Sequence, residues 1–304
     1  MQQNQARFSG LFDDNDSLMT DRYAVVGNPI DHSKSPIIHA EFAKQTGQDM
    51  SYKAILVPLD NFAKDVNAFF ARGGRGMNVT LPFKLQAFEL AAEKSPRALD
   101  AGAVNTLKFS GGTIFGDNTD GVGLTRDITQ NLGIPIRGKR VLLIGAGGAA
   151  RGVIYPILLG DPQSVTLVNR TFSTAEKLVS RYFEFSFFKP INLAALQFNR
   201  LAGKSYDIVI NATSSSVNDE KLPLPSGIFA KGSLAYEMMY GKGVTPFLNF
   251  AREEGAAKTS VGLGMLVEQA AEAFYLWRGV RPDTQPVIAK LKNLAASDSS
   301  LKPK

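Results

Sequence analysis

The sequence predicts an α/β fold in two domains, one built on a mixed sheet and one doubly wound on a parallel sheet. Three observations carry this. Short apolar runs alternate with helical segments along nearly the whole chain, the pattern of strands connected by helices. Four apolar residues, Val141-Leu142-Leu143-Ile144, run into Gly145-Ala146-Gly147-Gly148-Ala149 and then a second apolar segment, Val153 to Leu159. That order reads as a buried parallel strand, a tight turn and a helix. Finally, 304 residues with 44% apolar and 20% charged side chains suit two globular domains, each with its own core.

Composition narrows the functional classes. No apolar run approaches the roughly 18 to 20 residues that cross a bilayer, so no membrane partner is expected. Residues 1–20 are polar, carry Asp13, Asp14 and Asp16, and lack the basic-then-apolar order of a signal peptide. They read as a flexible N-terminal extension of a cytoplasmic protein. The absence of cysteine excludes disulfides, thiolate metal sites and a cysteine nucleophile. Two histidines, His32 and His39, are too few for a histidine-built zinc centre, so no metal is expected. The net charge of +6 is scattered, with no run of five or six basic residues. Attraction of small anionic molecules to a cleft fits it better than nucleic-acid binding.

Taken in order, Tyr23 to Asn28 predicts a strand stopped by Pro29, and Ser35-Pro36 a helix cap with first-turn proline. That helix runs through Phe42 to about Gly47. A strand at 51–59, a helix at 61–71 and a turn at Arg72-Gly73-Gly74-Arg75-Gly76 follow. Met77-Asn78-Val79-Thr80-Leu81 predicts the third strand, whose alternation places Asn78 and Thr80 on one face. A helix from about Phe83 carries Lys84 in its first turn. Ala103 to Leu107 and Thr113 to Phe115 predict two strands joined by Ser110-Gly111-Gly112, leading to Gly116-Asp117-Asn118-Thr119-Asp120-Gly121. A helix from Gly121 leads to the glycine-turn strand. Strands follow at 165–168, 207–211 and 234–238, with a helix at 173–182. An amphipathic helix at 265–277 and another from about Gln285 are expected to return to the first domain. The division is therefore 21–121 plus 263–304 for the substrate and catalytic domain, and 122–262 for the Rossmann domain.

The glycine turn lets a pyrophosphate approach amides at the positive end of a helix, although an ordinary tight turn reads the same way. The end of the next strand decides. A dinucleotide site for NAD carries Asp or Glu there, whereas the chain has Asn169-Arg170-Thr171, and a guanidinium can meet the 2′-phosphate of NADP with two hydrogen bonds. In the first domain, Ser33, Ser35, Asn78, Thr80, Asn105 and Asp120 all fall at strand ends or in the loops after them, where open α/β sheets converge on a crevice. Short uncharged donors and acceptors suit a polyhydroxylated ligand, and Lys84 can meet a carboxylate or a hydroxyl. Each has a plain structural alternative, such as a cap for Ser35 and a turn for Asn118 or Asp120.

The chain resembles the shikimate dehydrogenase family. The motifs that carry the resemblance are Gly27-Asn28-Pro29-Ile30 with His32-Ser33-Lys34-Ser35-Pro36, Asn78-Val79-Thr80-Leu81-Pro82-Phe83-Lys84, Ala101-Gly102-Ala103-Val104-Asn105-Thr106, and Gly116 to Gly121. The glycine turn, Asn169-Arg170-Thr171, Asn211-Ala212-Thr213-Ser214-Ser215 and Gly262-Leu263-Gly264-Met265 continue it, so that it spans about Tyr23 to Ile288. It implies reversible reduction of 3-dehydroshikimate to shikimate by NADPH. Ser33 and Ser35 with Tyr240 would bind the substrate carboxylate; Asn78, Thr80, Asn105 and Gln269 would hold the ring hydroxyls. Lys84 and Asp120 would be the catalytic pair. Gly145, Ala146, Gly147, Gly148, Ala149, Asn169, Arg170, Thr171, Thr213, Met238 and Gly262 would line the cofactor. Gln269 also shares a helix face with Met265, Leu266 and Ala273, where a glutamine satisfied by backbone is the alternative.

Three positions depart from the family pattern. Thr174 stands where an Arg is frequent, which removes one clamp on the adenosine phosphate and leaves Lys177 to compensate. Glu237 replaces the usual Asp, and Ser216 stands where many members have Gly; neither is expected to touch the chemistry. For the pair itself, a helix amino terminus disfavours a charged Lys84 by about 0.3 to 1 kcal/mol. An ionised Asp120 within about 4 Å would favour the charge by roughly 4 kcal/mol. A protonated Lys84 poised to donate is therefore expected. The alternatives are a quinate/shikimate dehydrogenase with broader substrates or NAD use, and a ligand sensor without catalysis. A homodimer is the oligomer considered.

Overall fold

The computed structural model describes residues 20–184, 192–217, 219–241 and 243–300. The chain divides into two compact units, one running to Thr119 and taking in Ala270–Val287, the other comprising Asp120–Gln269 and the chain from Ile288.

In the first unit, β1 (Asp21–Gly27), β2 (Met50–Leu56), β3 (Gly74–Val79), β4 (Glu93–Lys94), β5 (Thr106–Ser110) and β6 (Thr113–Asp117) form one sheet in the order β2-β1-β3-β5-β6-β4. β1 pairs parallel with β2 and β3, while β5 runs antiparallel to both β3 and β6. The sheet is mixed, as the sequence predicts. The β5–β6 connection is a hairpin through Gly111 and Gly112, both at positive φ, which glycine adopts without a steric penalty. One face of the sheet buries Val26, Ile55, Met77, Val79 and Leu107 with Val66, Phe69 and Phe83 from the covering helices. Close packing of these apolar side chains holds the strand ends in place.

In the second unit, β7 (Arg140–Ile144), β8 (Ser164–Val168), β9 (Leu193–Leu196), β10 (Tyr206–Asn211), β11 (Phe229–Glu237) and β12 (Lys258–Val261) are all parallel, in the order β12-β11-β10-β7-β8-β9. Numbered within the unit, this is the 3-2-1-4-5-6 order of a Rossmann domain, with the switch point between β7 and β10. Alternate residues of the strands enter two cores. Val141, Leu143, Ile208 and Ile210 face one side, and Leu142, Ile144, Val209 and Ala235 face the other. Burial on both faces explains why these strands read as continuous apolar runs.

Several local expectations are corrected. Ser35 does not cap its helix, which spans Ser35–Thr46; Lys34 stands at the cap without a side-chain bond. The Ser33 hydroxyl instead accepts from the Ser35 amide at 3.3 Å, because the turn closed by the Ser33 amide on the Ile30 carbonyl brings it there. The expected turn at 72–76 is shorter, since β3 already begins at Gly74. Gly74 and Gly76 serve packing: a Cβ would lie 2.2 Å from the Phe69 ring at the first and 2.4 Å from the Trp277 indole at the second. β3 ends at Val79, before Thr80 and Leu81; β2 ends at Leu56, and β5 starts only at Thr106. The helix expected from Gly121 begins at Asp120 and runs to Arg126, continuing as a π-type turn over Asp127–Asn131.

Candidate active site

In the first unit, Asn78 and Asn105 lie in one hydrogen-bonded network with Tyr52, Thr106 and Thr119 at the ends of β3, β5 and β6. Asn78 is buried on β3; its carbonyl accepts from the Tyr52 hydroxyl at 2.7 Å and its amide donates to the Thr106 hydroxyl at 3.0 Å. Asn105, buried just before β5, donates to the Thr119 hydroxyl at 3.0 Å and accepts from the Thr119 amide at 2.9 Å and from the Thr106 hydroxyl at 2.9 Å. Side-chain amides satisfied on several sides are fixed in rotamer and in polarity. Thr80 follows β3, its amide donating to the Val26 carbonyl at 2.9 Å and its methyl filling the space over Gly27. A Cβ at Gly27 would sit 2.5 Å from that methyl, so the glycine lets the two strand ends approach.

Lys84 is the first residue of the helix Lys84–Leu90, which receives the Val104 amide on the Lys84 carbonyl at 3.0 Å. Ser33 is half-buried and Ser35 buried. Burial pushes the Tyr52 hydroxyl well above its ordinary pKa, with a hydrogen bond from Ser35 opposing it. Tyr52 stacks on His39 with ring centroids 4.1 Å apart. His39 is wholly buried, and burial lowers its pKa to about 3, so its ring is neutral at physiological pH. Tyr52, Thr106, Thr119 and His39 were not singled out from sequence as site residues. Their role is to hold Asn78 and Asn105, and no sequence period reports a partner 26 residues away.

The loop after β6 is fixed by charge. Arg97 donates to both oxygens of Asp117, at 2.7 and 2.6 Å, and to Glu272 at 3.1 Å. Asp117 also accepts from the Ser95 hydroxyl at 2.5 Å and the Asn118 amide at 2.7 Å. The Asn118 side chain donates to the Ala103 carbonyl at 3.0 Å.

In the second unit, Asp120 is buried in the first turn of the helix Asp120–Arg126. Gly121 lets this helix approach the helix Gly148–Leu159, since a Cβ there would meet the Gly152 carbonyl at 2.4 Å. β7 ends in the glycine turn. Gly145 has φ +111°, a conformation other residues rarely adopt, and its amide donates to the Val168 carbonyl at 2.7 Å. Ala146 is buried, whereas Gly147, Gly148 and Ala149 are exposed. A Cβ at Gly147 or Gly148 would meet nothing within 4 Å, and the helix that starts at Gly148 has no side-chain cap. Open space before uncapped helix amides fits a pyrophosphate.

After β8, Asn169 donates from its side chain to the Thr171 carbonyl at 2.9 Å and shapes the turn. The Arg170 side chain is 91% exposed and lies 3.9 Å from the half-exposed Glu220 carboxylate. Lys177 is exposed and Thr174 half-buried on the following helix. After β10, Thr213 donates its hydroxyl to Asn211 at 2.7 Å, beside the Gly145 turn. Met238, half-buried, follows β11 and donates its amide to the Asn211 carbonyl at 3.0 Å. Gly262 stands against that segment: a Cβ would lie 2.1 Å from the Met238 carbonyl. Gln269 donates its side-chain amide to the Leu266 carbonyl at 2.8 Å and packs over Gly123. Tyr240 is half-buried, and burial raises its pKa. The end of β7, the turn after β8 and the ends of β10 and β11 are the positions that line a dinucleotide in this fold.

Two of the departures from the family pattern, Ser216 after β10 and Glu237 at the end of β11, touch each other. The Ser216 hydroxyl donates to the buried Glu237 carboxylate at 2.5 Å.

Among the described residues no helix is long and apolar enough to cross a membrane, and no cluster of side chains suits a metal ion. Three family models match the chain: the shikimate dehydrogenase substrate binding domain over residues 25–107, shikimate / quinate 5-dehydrogenase over residues 127–218, and the shikimate 5'-dehydrogenase C-terminal domain over residues 262–292. The chain is 57% identical over 274 residues to the shikimate dehydrogenase (NADP(+)) of Methylobacillus flagellatus, spanning 90% of this chain and 99% of that one. It is 58% identical over 274 residues to that of Dechloromonas aromatica, spanning 90% and 98%. Among solved structures, an Ael1 enzyme from Pseudomonas putida aligns with TM-score 0.85 and 51% identity over 90% of this chain and 98% of that one. Shikimate 5-dehydrogenase from Thermus thermophilus, solved in complex with NADP(H) and shikimate, aligns with TM-score 0.78 and 32% identity over 90% and 99%.

Proposed function

The chain belongs to the shikimate dehydrogenase family, and on that premise we propose that it catalyses the reversible, NADPH-dependent reduction of 3-dehydroshikimate to shikimate. One observation carries the choice of NADP: exposed Arg170 follows the strand after the glycine turn, where an NAD site would carry an acid. The bound nicotinamide supplies the hydride; the protein has to orient the substrate and move one proton.

Lys84 donates that proton to the carbonyl oxygen as it becomes an alkoxide, and accepts it back in the oxidative direction. Asp120 is assigned as the second member of the catalytic pair. Ser33, Ser35 and Tyr240 take the substrate carboxylate; Asn78, Thr80, Asn105 and Gln269 take the ring hydroxyls. Asn78 and Asn105 enter this role pre-oriented by Tyr52, Thr106 and Thr119, which reduces the entropy lost on binding. Gly145 to Ala149, Asn169 to Thr171, Thr213, Met238 and Gly262 take the cofactor. The assignment of 21–121 with 263–304 to substrate and 122–262 to cofactor, which differs from the compact units in giving residues 120–121, 263–269 and those from 288 to the substrate side, a cytoplasmic location and a homodimer complete the proposal.

Initial rates of absorbance change at 340 nm with shikimate and with quinate, each with NADP+ and NAD+, test it. Turnover fastest with shikimate and NADP+ is the expected result. The description of one matching family model includes quinate, so comparable rates with quinate would favour the broader enzyme. Shikimate binding without NADPH formation would favour the non-catalytic sensor.

A further inference from the structure

Glu237 ends β11 and is fully buried, and among the described residues its carboxylate meets four donors, none of them a cation. One oxygen accepts from the Asn211 side-chain amide at 2.9 Å, the Ser216 hydroxyl at 2.5 Å and the Thr245 hydroxyl at 3.2 Å. The other accepts from the Met239 amide at 3.3 Å. These donors come from four places: the end of β10, the turn after it, the segment after β11, and the cap of the helix Pro246–Glu253, where Thr245 also accepts from the Leu248 amide.

The polarity of this chain of bonds is fixed. The Asn211 side-chain carbonyl accepts from the Thr213 backbone amide at 3.1 Å and from the Thr213 hydroxyl at 2.7 Å. A backbone amide can only donate, so Asn211 cannot flip, and its NH2 must face Glu237. A carboxylate, which only accepts, is the group that completes this arrangement. Met238 is tied to the same point through its amide on the Asn211 carbonyl at 3.0 Å.

We infer that Glu237 is a positioning residue for NADP binding: through Asn211 it sets Thr213, and through the Met239 amide it sets the Met238 segment, with Ser216 holding the carboxylate in place. This rests on the proposed function, in which Thr213 and Met238 line the cofactor. A buried acid that served stability alone would not need to join two cofactor-lining segments by bonds of a single polarity. Glu237→Gln keeps the shape but turns a donor toward Asn211, Ser216 and Thr245, or else toward Met239. The two hydroxyls can rotate to accept; Asn211 and Met239 cannot.

The test is calorimetric titration of the full chain with NADP+ in the absence of substrate, alongside melting temperature and the KM for shikimate. Wild type is measured first, since failure to bind NADP+ there would overturn the proposed function itself and this inference with it. In Glu237→Gln, NADP+ binding is expected to weaken by about tenfold, the size of a lost hydrogen bond to a charged group. The KM for shikimate should change less than the affinity for NADP+, since of the residues assigned to substrate only Tyr240 lies in the segment after β11. Glu237→Asp, which retains the carboxylate, should recover most of the affinity. A Gln variant that melts lower but binds NADP+ as wild type does would overturn the inference, as would equal losses in Asp and Gln variants. Should the Gln variant not fold, Ser216→Ala carries the test: about threefold weaker binding is expected, and unchanged affinity overturns it.

Discussion

The Arg97 guanidinium grips both carboxylate oxygens of Asp117, at 2.7 and 2.6 Å, in the loop that leads to Asp120. Asp117 is 4% exposed and Arg97 22%, so the pair is largely desolvated, and Glu272 shares the same guanidinium at 3.1 Å. Two carboxylates raise the pKa of Arg97 against the opposing effect of burial, and Arg281 with Arg97 lowers that of Glu272 in spite of its burial. Removing one partner leaves a buried charge uncompensated, which costs about 3 kcal/mol. Arg97→Gln is expected to lose about that much in urea unfolding. A change below about 0.5 kcal/mol, the range of an exposed pair, would reject the account.

Lys84→Ala and Asp120→Asn should each lower kcat for shikimate oxidation by about a hundredfold or more, the usual contribution of a positioned acid or base. Melting temperatures should change little for Lys84→Ala, since that side chain is only half-buried. Near-normal turnover in either variant would remove that residue from the mechanism.

Arg170→Ala should weaken NADP+ about tenfold and leave NAD+ nearly unchanged, because only the former carries the 2′-phosphate. The Glu220 carboxylate, 3.9 Å from Arg170, competes for the same guanidinium. Glu220→Gln should therefore tighten NADP+ binding, by no more than about twofold given the exposure of the pair. Equal losses for both cofactors in Arg170→Ala would show that Arg170 does not read the phosphate.

Two glycines should fail in opposite ways. Gly147→Ala has free space for its methyl and should fold and melt as wild type does, while losing cofactor affinity as the methyl enters the pyrophosphate's place. Gly262→Ala drives a methyl to within 2.1 Å of the Met238 carbonyl, a backbone atom that cannot swing aside, and should lower the melting temperature clearly. Melting curves with and without NADP+ separate the two outcomes.

His39 gives a pH dependence. Its folded pKa, about 3, lies below the ordinary 6.5, so in the interval between them the unfolded chain binds the extra proton. Stability is therefore full above about pH 6.5 and falls as the pH drops toward 3. Between pH 7 and pH 5 the histidine should account for a loss of about 2 kcal/mol, at 1.36 kcal/mol per pH unit below the unfolded pKa. Urea unfolding of His39→Phe at both pH values should show a correspondingly shallower fall. Identical falls in wild type and variant would reject the assignment.

The sequence by itself determined the main strands of both sheets and the glycine turn, but not β4, β9, β12 or the helix Pro246–Glu253. Val141 to Ile144 followed by Gly145, Gly147 and Gly148 is legible because strand burial, the turn and the helix start are all local in the chain, as is Arg170 after the next strand. It also singled out Asn78, Asn105, Lys84 and Asp120 by their residue types at strand ends and at the starts of the loops and helices that follow. Tertiary structure alone decided what holds them. Tyr52 on Asn78, Thr119 on Asn105 and Arg97 on Asp117 and Glu272 join residues far apart in the chain, and hydrogen-bond partnership leaves no period in a sequence. Gly74 and Gly76 read as a turn because glycine looks the same whether it supplies a positive φ or makes room for the Phe69 and Trp277 rings. Ser216 and Glu237 looked like two unrelated departures. Only the register of β10 beside β11, which places the turn after one strand over the end of the other, makes them one contact.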